Sequence, residues 1–254
     1  MLAHAYIHNE PVFIEVPRDI VFSKTQVIDF PSQKKELLIE RTSLNGAELI
    51  AKEILKKLQK SKKPLLYVGG LAKLNSPLLN TLISFCKKYK IPYVSSMVAK
   101  SHLREDHPLS LTYYNGIFSP QKSRSYIEKE VDYILEVATS IIRLDVDVAF
   151  NTGTHHIHNF SNKTILKGTA PHNKDIKKVF EILLKKDLAP FDIDLKKKPS
   201  HLLKNDEIVD FHNISKLLNQ LQEEQNNTHF YFPEVGNSLF TSFGLHTKTS
   251  DLGR

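Results

Sequence analysis

Short, strand-length runs rich in apolar residues, separated by amphipathic stretches, constrain this chain more than any other feature. Pro64-Leu65-Leu66-Tyr67-Val68 is one such run, and it stops at Gly69-Gly70. Tyr93 to Ser96 and Asp132 to Val137 are two more. Runs this short and this apolar fit strands covered on both faces, as in the interior of a parallel sheet. The stretches between them repeat at helical spacing. Leu49, Ile50, Ile54, Leu55 and Leu58 share one side of a helix that opens near Leu44-Asn45-Gly46, with Asn45 expected at its N-cap. Further helices are expected from Pro77 to Tyr89, Gln121 to Lys129, Ile176 to Lys186 and Asn213 to Glu224. Lys100 to Phe118 reads as irregular, and one or two short strands are expected between His156 and Lys167.

Buried strands alternating with helices predict a doubly wound, mainly parallel, Rossmann-like α/β sheet, its crossovers right-handed. Polar, proline-containing stretches divide the chain. Residues 22–43 read as one linker, and 188–206, with Pro190, Pro199 and Lys196-Lys197-Lys198, as a second. The expected organisation is a short N-terminal piece over 1–35, a central domain over 36–190, and a linker with the start of a third unit over 191–254.

Composition excludes several classes of function. The apolar fraction of 41% and charged fraction of 25% are those of a globular protein. The net charge of +7 comes from lysines on helix faces, interleaved with Glu48, Glu53 and Asp194. No basic run alternates with stacking aromatics, so nucleic-acid binding is not expected. No apolar stretch reaches the ~18 residues needed to cross a bilayer, so no membrane partner is expected. The single cysteine, Cys86, lies on the apolar stripe Leu78, Leu82, Cys86, Tyr89 and reads as a core residue of a cytoplasmic protein.

Near the start, His8-Asn9-Glu10-Pro11-Val12-Phe13-Ile14-Glu15-Val16-Pro17-Arg18-Asp19 reads as an apolar strand, Val12 to Val16, closed by Pro17, which has no backbone donor. It begins about a dozen residues after Met1, so the chain is expected to start inside a domain. This run resembles the last strand of the pyrimidine-binding domain of thiamine-diphosphate-dependent 2-keto acid decarboxylases, in wording closest to the pyruvate and indolepyruvate branch. Further matches follow in order: Lys63 to Gly70, Ile91-Pro92-Tyr93-Val94, Ala99-Lys100-Ser101 with Glu105-Asp106-His107-Pro108, Tyr114-Asn115-Gly116, and Glu130 to Val137. They resemble the family's central domain over residues 44–187. One departure is Ala138, where the family usually has a glycine. Alanine takes a positive φ less readily than glycine, so a changed turn or a lost close approach is expected there.

The resemblance implies the remaining expectations. Gly236-Asn237-Ser238 resembles the loop that touches the cofactor's diphosphate; donors at a helix N-terminus can meet an anion, and an ordinary N-cap is the alternative reading. The family uses thiamine diphosphate and Mg2+, acts on a 2-keto acid, and forms homodimers or homotetramers. Its activating glutamate and its Gly-Asp-Gly magnesium stretch have no counterpart here. The chain is therefore expected to be a partial decarboxylase that binds the cofactor weakly and does not turn over, with no catalytic residue and no metal ligand assigned. Its two ends are expected to be poorly anchored. The alternative is a free-standing Rossmann-like module holding an adenine nucleotide at Gly69-Gly70 or regulating a partner. Two other clusters read as bland. His155-His156-Ile157-His158, with His156 and His158 on one face of a strand, is an exposed edge and not a metal site. Ser101, His102 and Asp106 lack the separate elements that a hydrolase triad needs.

Overall fold

The structure is a computed structural model. It describes residues 44–72, 74, 76–139, 156–157, 160–166, 173–195, 208 and 213–225, with residues 13, 15, 17–24, 241, 242, 244 and 245. Ten helices and strands are used below: α1 (Leu44–Leu58), β1 (Pro64–Val68), α2 (Pro77–Tyr89), β2 (Tyr93–Ser96), β3 (Ser110–Tyr114), α3 (Gln121–Lys129), β4 (Tyr133–Val137), β5 (Lys163–Leu166), α4 (Asn173–Leu184) and α5 (Ile214–Glu224). The five strands form one sheet in the order β3-β2-β1-β4-β5. Every pairing is parallel. The expected doubly wound α/β fold is therefore observed, with β1 between β2 and β4.

Both faces of the sheet are covered, which is why its strands could be apolar throughout. All five residues of β1 and all five of β4 are buried. Leu66, Val68, Tyr133, Leu135 and Val137 face a layer made by α1, α2 and α4, with Ile54, Leu58, Leu82, Phe85, Phe180 and Leu183 at its centre. Phe85 meets Tyr89 and Phe180 edge to face, with ring centroids 5.2 and 5.0 Å apart. Leu65, Tyr67, Val94 and Ile134 face the other way, onto Tyr126 and Ile127 of α3 and onto Ile157. Cys86 is buried in the first layer, and burial pushes its thiol well above its usual range. It is the inert core residue that its stripe implied.

Polar staples close the amino-terminal end of the sheet. Asp132 accepts from the Lys62 amide (2.7 Å), the Lys63 amide (3.1 Å) and the Ser61 hydroxyl, tying the start of β1 to that of β4. The Tyr89 hydroxyl donates to the carbonyls of Leu183 and Lys186, fastening α2 to the end of α4.

Several local expectations are corrected. Lys100 to Phe118 is not wholly irregular, because it contains the edge strand β3. That strand is bulged: its register against β2 shifts between Tyr93 and Ser95, and Thr112 has φ 62°. A β-branched residue at positive φ is rare, and a bulge breaks the alternation by which a strand is read. Asn45 lies inside α1, one residue past its start, and not at its N-cap. His156 is helical, so no strand pairs it with His158, which lies outside the described residues. Residues 188–195 are no free linker: Leu188 and Phe191 pack on one face of the sheet, Ile193 and Leu195 on the other. At the N-terminus, Val12, Ile14 and Val16 lie outside the described residues. Phe13 is 84% exposed and in no strand, and Ile20, Val21 and Phe22 are exposed too.

Candidate functional site

A sheet ordered 3-2-1-4-5 has one topological switch point, between β1 and β4, and open α/β sheets bind ligands outside the carboxyl ends of their strands there. Val68-Gly69-Gly70 and Val137-Ala138-Thr139 meet at that place. The Gly69 amide donates to the Val137 carbonyl at 2.8 Å, and the Leu71 amide to the Ala138 carbonyl at 3.0 Å. The Ala138 amide donates in turn to Leu166 at 2.9 Å. A Cβ on Gly69 would lie 2.5 Å from Thr139 Cα, 2.6 Å from the Ala138 oxygen and 2.7 Å from Thr139 Cγ2. Gly69 is therefore required by the close approach of the turn after β4.

Ala138 itself resolves the question its sequence raised. It is fully buried with φ 55°, so the glycine-type turn is retained with an alanine in the left-handed region. That conformation costs an L-residue roughly 1–2 kcal/mol, which the bonds through its amide and carbonyl offset. Thr139, also buried, donates from its hydroxyl to Glu136 Oε1 at 2.6 Å. The other oxygen of Glu136 accepts no hydrogen bond and faces the Lys163 ammonium at 3.4 Å. Lys163 also donates to the Ile157 carbonyl at 3.1 Å. A buried ion pair thus supports the turn from below. No sequence signal marked it, because Glu136 sits in a run otherwise read as apolar strand.

These contacts test the nucleotide reading directly. A phosphate cradle needs backbone amides that point at the ligand. Here the amides of Gly69 and Leu71 are bonded to the end of β4 and the turn after it, so neither points at a ligand. The residues do not fit a diphosphate at this switch point. The three residues expected to touch the thiamine cofactor, Gly236, Asn237 and Ser238, lie outside the described residues.

The second cluster is the run after β2. Lys100 Nζ lies 2.9 and 2.8 Å from the two Glu105 oxygens. Arg104 holds Asp106 through two bonds, at 3.1 and 2.8 Å. His107 Nδ1 accepts from the Leu109 amide at 3.2 Å. Both carboxylate oxygens of Asp106 are thus engaged by Arg104. Desolvation, with the Glu105 charge behind it, pushes the Tyr113 phenol up to about 12, and desolvation pushes Tyr133 up to about 12. Both stay protonated at neutral pH, and the Tyr113 hydroxyl donates to the Phe118 carbonyl at 2.8 Å. Among the described residues no group of three metal-ligating side chains converges, and no helix is long and apolar enough to cross a membrane.

Fold, topology and the ordered run of motifs define a class: a Rossmann-like α/β domain in which the turns after β1 and β4 are bonded to each other. Comparison with known proteins gives the family. The family model for the thiamine pyrophosphate enzyme central domain matches residues 51–178, half of the chain. The chain belongs to the thiamine pyrophosphate enzyme family, and this part of it is the central domain. A Mycobacterium tuberculosis protein with the provisional name acetolactate synthase large subunit IlvB2 is 27% identical over 139 residues, 54% of this chain and 25% of that protein. The 2-hydroxyacyl-CoA lyase 1 of Dictyostelium discoideum is 29% identical over 128 residues, 49% of this chain and 20% of that protein. The acetolactate synthase of Arthrospira platensis is 26% identical over 149 residues, 58% of this chain and 25% of that protein. The matched segment thus spans a quarter or less of these relatives. None of the three carries the name of a pyruvate or indolepyruvate decarboxylase.

Proposed function

We propose that this chain is the central-domain portion of a thiamine-diphosphate-dependent enzyme that acts on a 2-keto acid in the cytoplasm. Residues 1–35 would be the end of a pyrimidine-binding domain, 36–190 the central domain, and 191–254 a linker, its first residues packed on the central sheet, and the start of a diphosphate-binding domain. In the intact protein, Gly236, Asn237 and Ser238 would face the cofactor's diphosphate, with Mg2+ held elsewhere and subunits paired in homodimers or homotetramers. The cofactor, when bound, supplies the electron sink for making or breaking the bond beside the keto carbon. The wording of the N-terminal run favours non-oxidative decarboxylation. The names of the relatives favour transfer between two carbon centres or cleavage of an acyl-CoA adduct instead. What these outcomes share is a 2-keto acid or an acyl donor of that kind as substrate class.

The observation that carries this reading is the family match over residues 51–178. The bonding at the switch point supports it against the free-standing nucleotide module, because the donors such a module needs are already bonded within the chain.

The test is calorimetry on the purified 254-residue chain. Three neutral hydrogen bonds from one loop contribute roughly 0.5–1.5 kcal/mol each, short of the ~8 kcal/mol of a micromolar complex. Titration with thiamine diphosphate and Mg2+ is expected to give no binding tighter than about millimolar, and titration with ADP none either. Micromolar binding of the thiamine cofactor by the monomeric chain would refute the placement of the cofactor site. Micromolar ADP binding would restore the nucleotide module.

A further inference from the structure

Lys100 sits just beyond β2, and its ammonium has three protons to donate. Two go to the Glu105 carboxylate. The remaining one reaches across 145 residues of sequence to the backbone carbonyl of Leu245, at 2.6 Å. The Tyr113 ring, 5.7 Å from the same nitrogen, walls the site. The Lys100 and Glu105 side chains are only 11% and 2% exposed. An ammonium at this depth must have its donors bonded. On an open surface water would take the third proton; here a distant segment of the chain takes it.

The turn that carries Leu245 is gripped from its other side by α5. Asn219 Nδ2 donates to the Gly244 carbonyl at 2.8 Å. A Cβ on Gly244 would lie 2.5 Å from Ser215 Oγ and 2.8 Å from Ser215 Cβ, so only glycine lets the turn close on α5. Leu245 is itself buried. One face of the turn thus belongs to α5, and the other to Lys100 on the central sheet.

We propose that Lys100, charge-balanced by Glu105, is a latch that fixes α5 and the turn carrying Gly244 and Leu245 to the carboxyl end of the central sheet. It is a positioning residue: its loss frees the C-terminal segment and leaves the sheet folded. The proposal stands on these contacts alone and does not depend on any cofactor. Two features set it apart from an ordinary surface pair, which contributes little. The pair is buried, and its third bond joins two parts of the chain.

Hydrogen exchange on the full chain, read by mass spectrometry, tests it. The double variant Lys100→Met/Glu105→Gln removes the pair as a unit, so no lone charge stays buried. Gly244→Ala attacks the same turn from the α5 side and leaves the central domain untouched. In both variants, amides of 214–225 and 241–245 are expected to exchange at least about tenfold faster than in the wild type, while β1 and β4 keep their protection. Unchanged exchange over 241–245 in the double variant overturns the latch. So does faster exchange spread equally over the sheet, which would make the pair ordinary core packing. If the double variant does not fold, Gly244→Ala decides alone: release of 214–225 with β1 and β4 still protected supports the latch, and no release overturns it.

Discussion

Gly69→Ala is the sharpest probe of the switch point. The added methyl would start 2.5 Å from Thr139 Cα and 2.6 Å from the Ala138 oxygen, where unstrained carbon contacts begin near 3.5 Å. Both are backbone atoms, so no side-chain rotation relieves the clash. The third neighbour, Thr139 Cγ2 at 2.7 Å, is held by its hydroxyl bond to Glu136. Relief must separate the end of β1 from the turn after β4, which breaks the Gly69–Val137 and Leu71–Ala138 bonds. Each contributes roughly 0.5–1.5 kcal/mol, and overpacking a dense interior adds about 1–3 kcal/mol. Reduced freedom of the unfolded chain returns only about 0.4–1 kcal/mol. The net expectation is a loss of ~2–4 kcal/mol. With a urea slope of about 2 kcal/mol per molar, the unfolding midpoint should fall by about 1–2 M. A midpoint within about 0.3 M of the wild type would mean that the crevice has room, and the argument against a phosphate there would fail with it.

Two further outcomes concern stability. Lys163→Met is expected to cost about 3–5 kcal/mol by stranding the Glu136 charge, whereas Glu136→Leu/Lys163→Met should lie within about 2 kcal/mol of the wild type or above it; a double-mutant cycle in urea would refute the pairing if the two substitutions were additive. Alkaline unfolding should be cooperative. Desolvation raises Tyr113 and Tyr133 to about 12 and raises Tyr93, Tyr114 and Tyr126 further, while unfolded tyrosine titrates near 10. A folded-state value above the unfolded one gives stability that is complete below pH ~10 and lost as pH rises toward ~12. Tyrosinate absorbance should therefore appear together with loss of helical signal in that window; ionisation of all nine tyrosines near pH 10 with the fold intact would contradict the burial.

What could be read in the sequence was what burial periodicity writes there. β1 and β4 were legible as short runs rich in apolar residues, and α1 and α2 because their apolar residues recur at helical spacing. β3 was not, because Ser110 and Thr112 interrupt the pattern and the bulge at Thr112 shifts it. Residues 188–195 were misread because Pro190 and the lysines that follow look like a linker, and the alternation of Phe191, Ile193 and Leu195 with aspartates was passed over. The Glu136–Lys163 and Lys100–Leu245 contacts were illegible for a different reason. Each joins residues far apart in sequence, and no local pattern encodes a partner that only topology brings near. Ala138 lies between these cases: its sequence pointed to a changed turn, and the structure keeps the turn with a left-handed alanine.

The same contacts bear on where chemistry in this protein can reside. In an open parallel sheet the carboxyl ends of the strands are the natural ligand site, because strand-to-helix turns leave amides unbonded there. In this chain the amides of Gly69 and Leu71 are bonded to the turn after β4, and the ammonium of Lys100 is bonded to Glu105 and Leu245. Groups engaged in this way hold chain, not ligand. Under the proposed function, such a central domain would be a frame, with the reacting groups carried by polypeptide mounted on it. In sequence, the proposed cofactor loop at Gly236–Ser238 falls between α5 and the turn that carries Leu245. Gly69→Ala and Gly244→Ala separate the two duties: the first should loosen the frame itself, the second only what the frame carries.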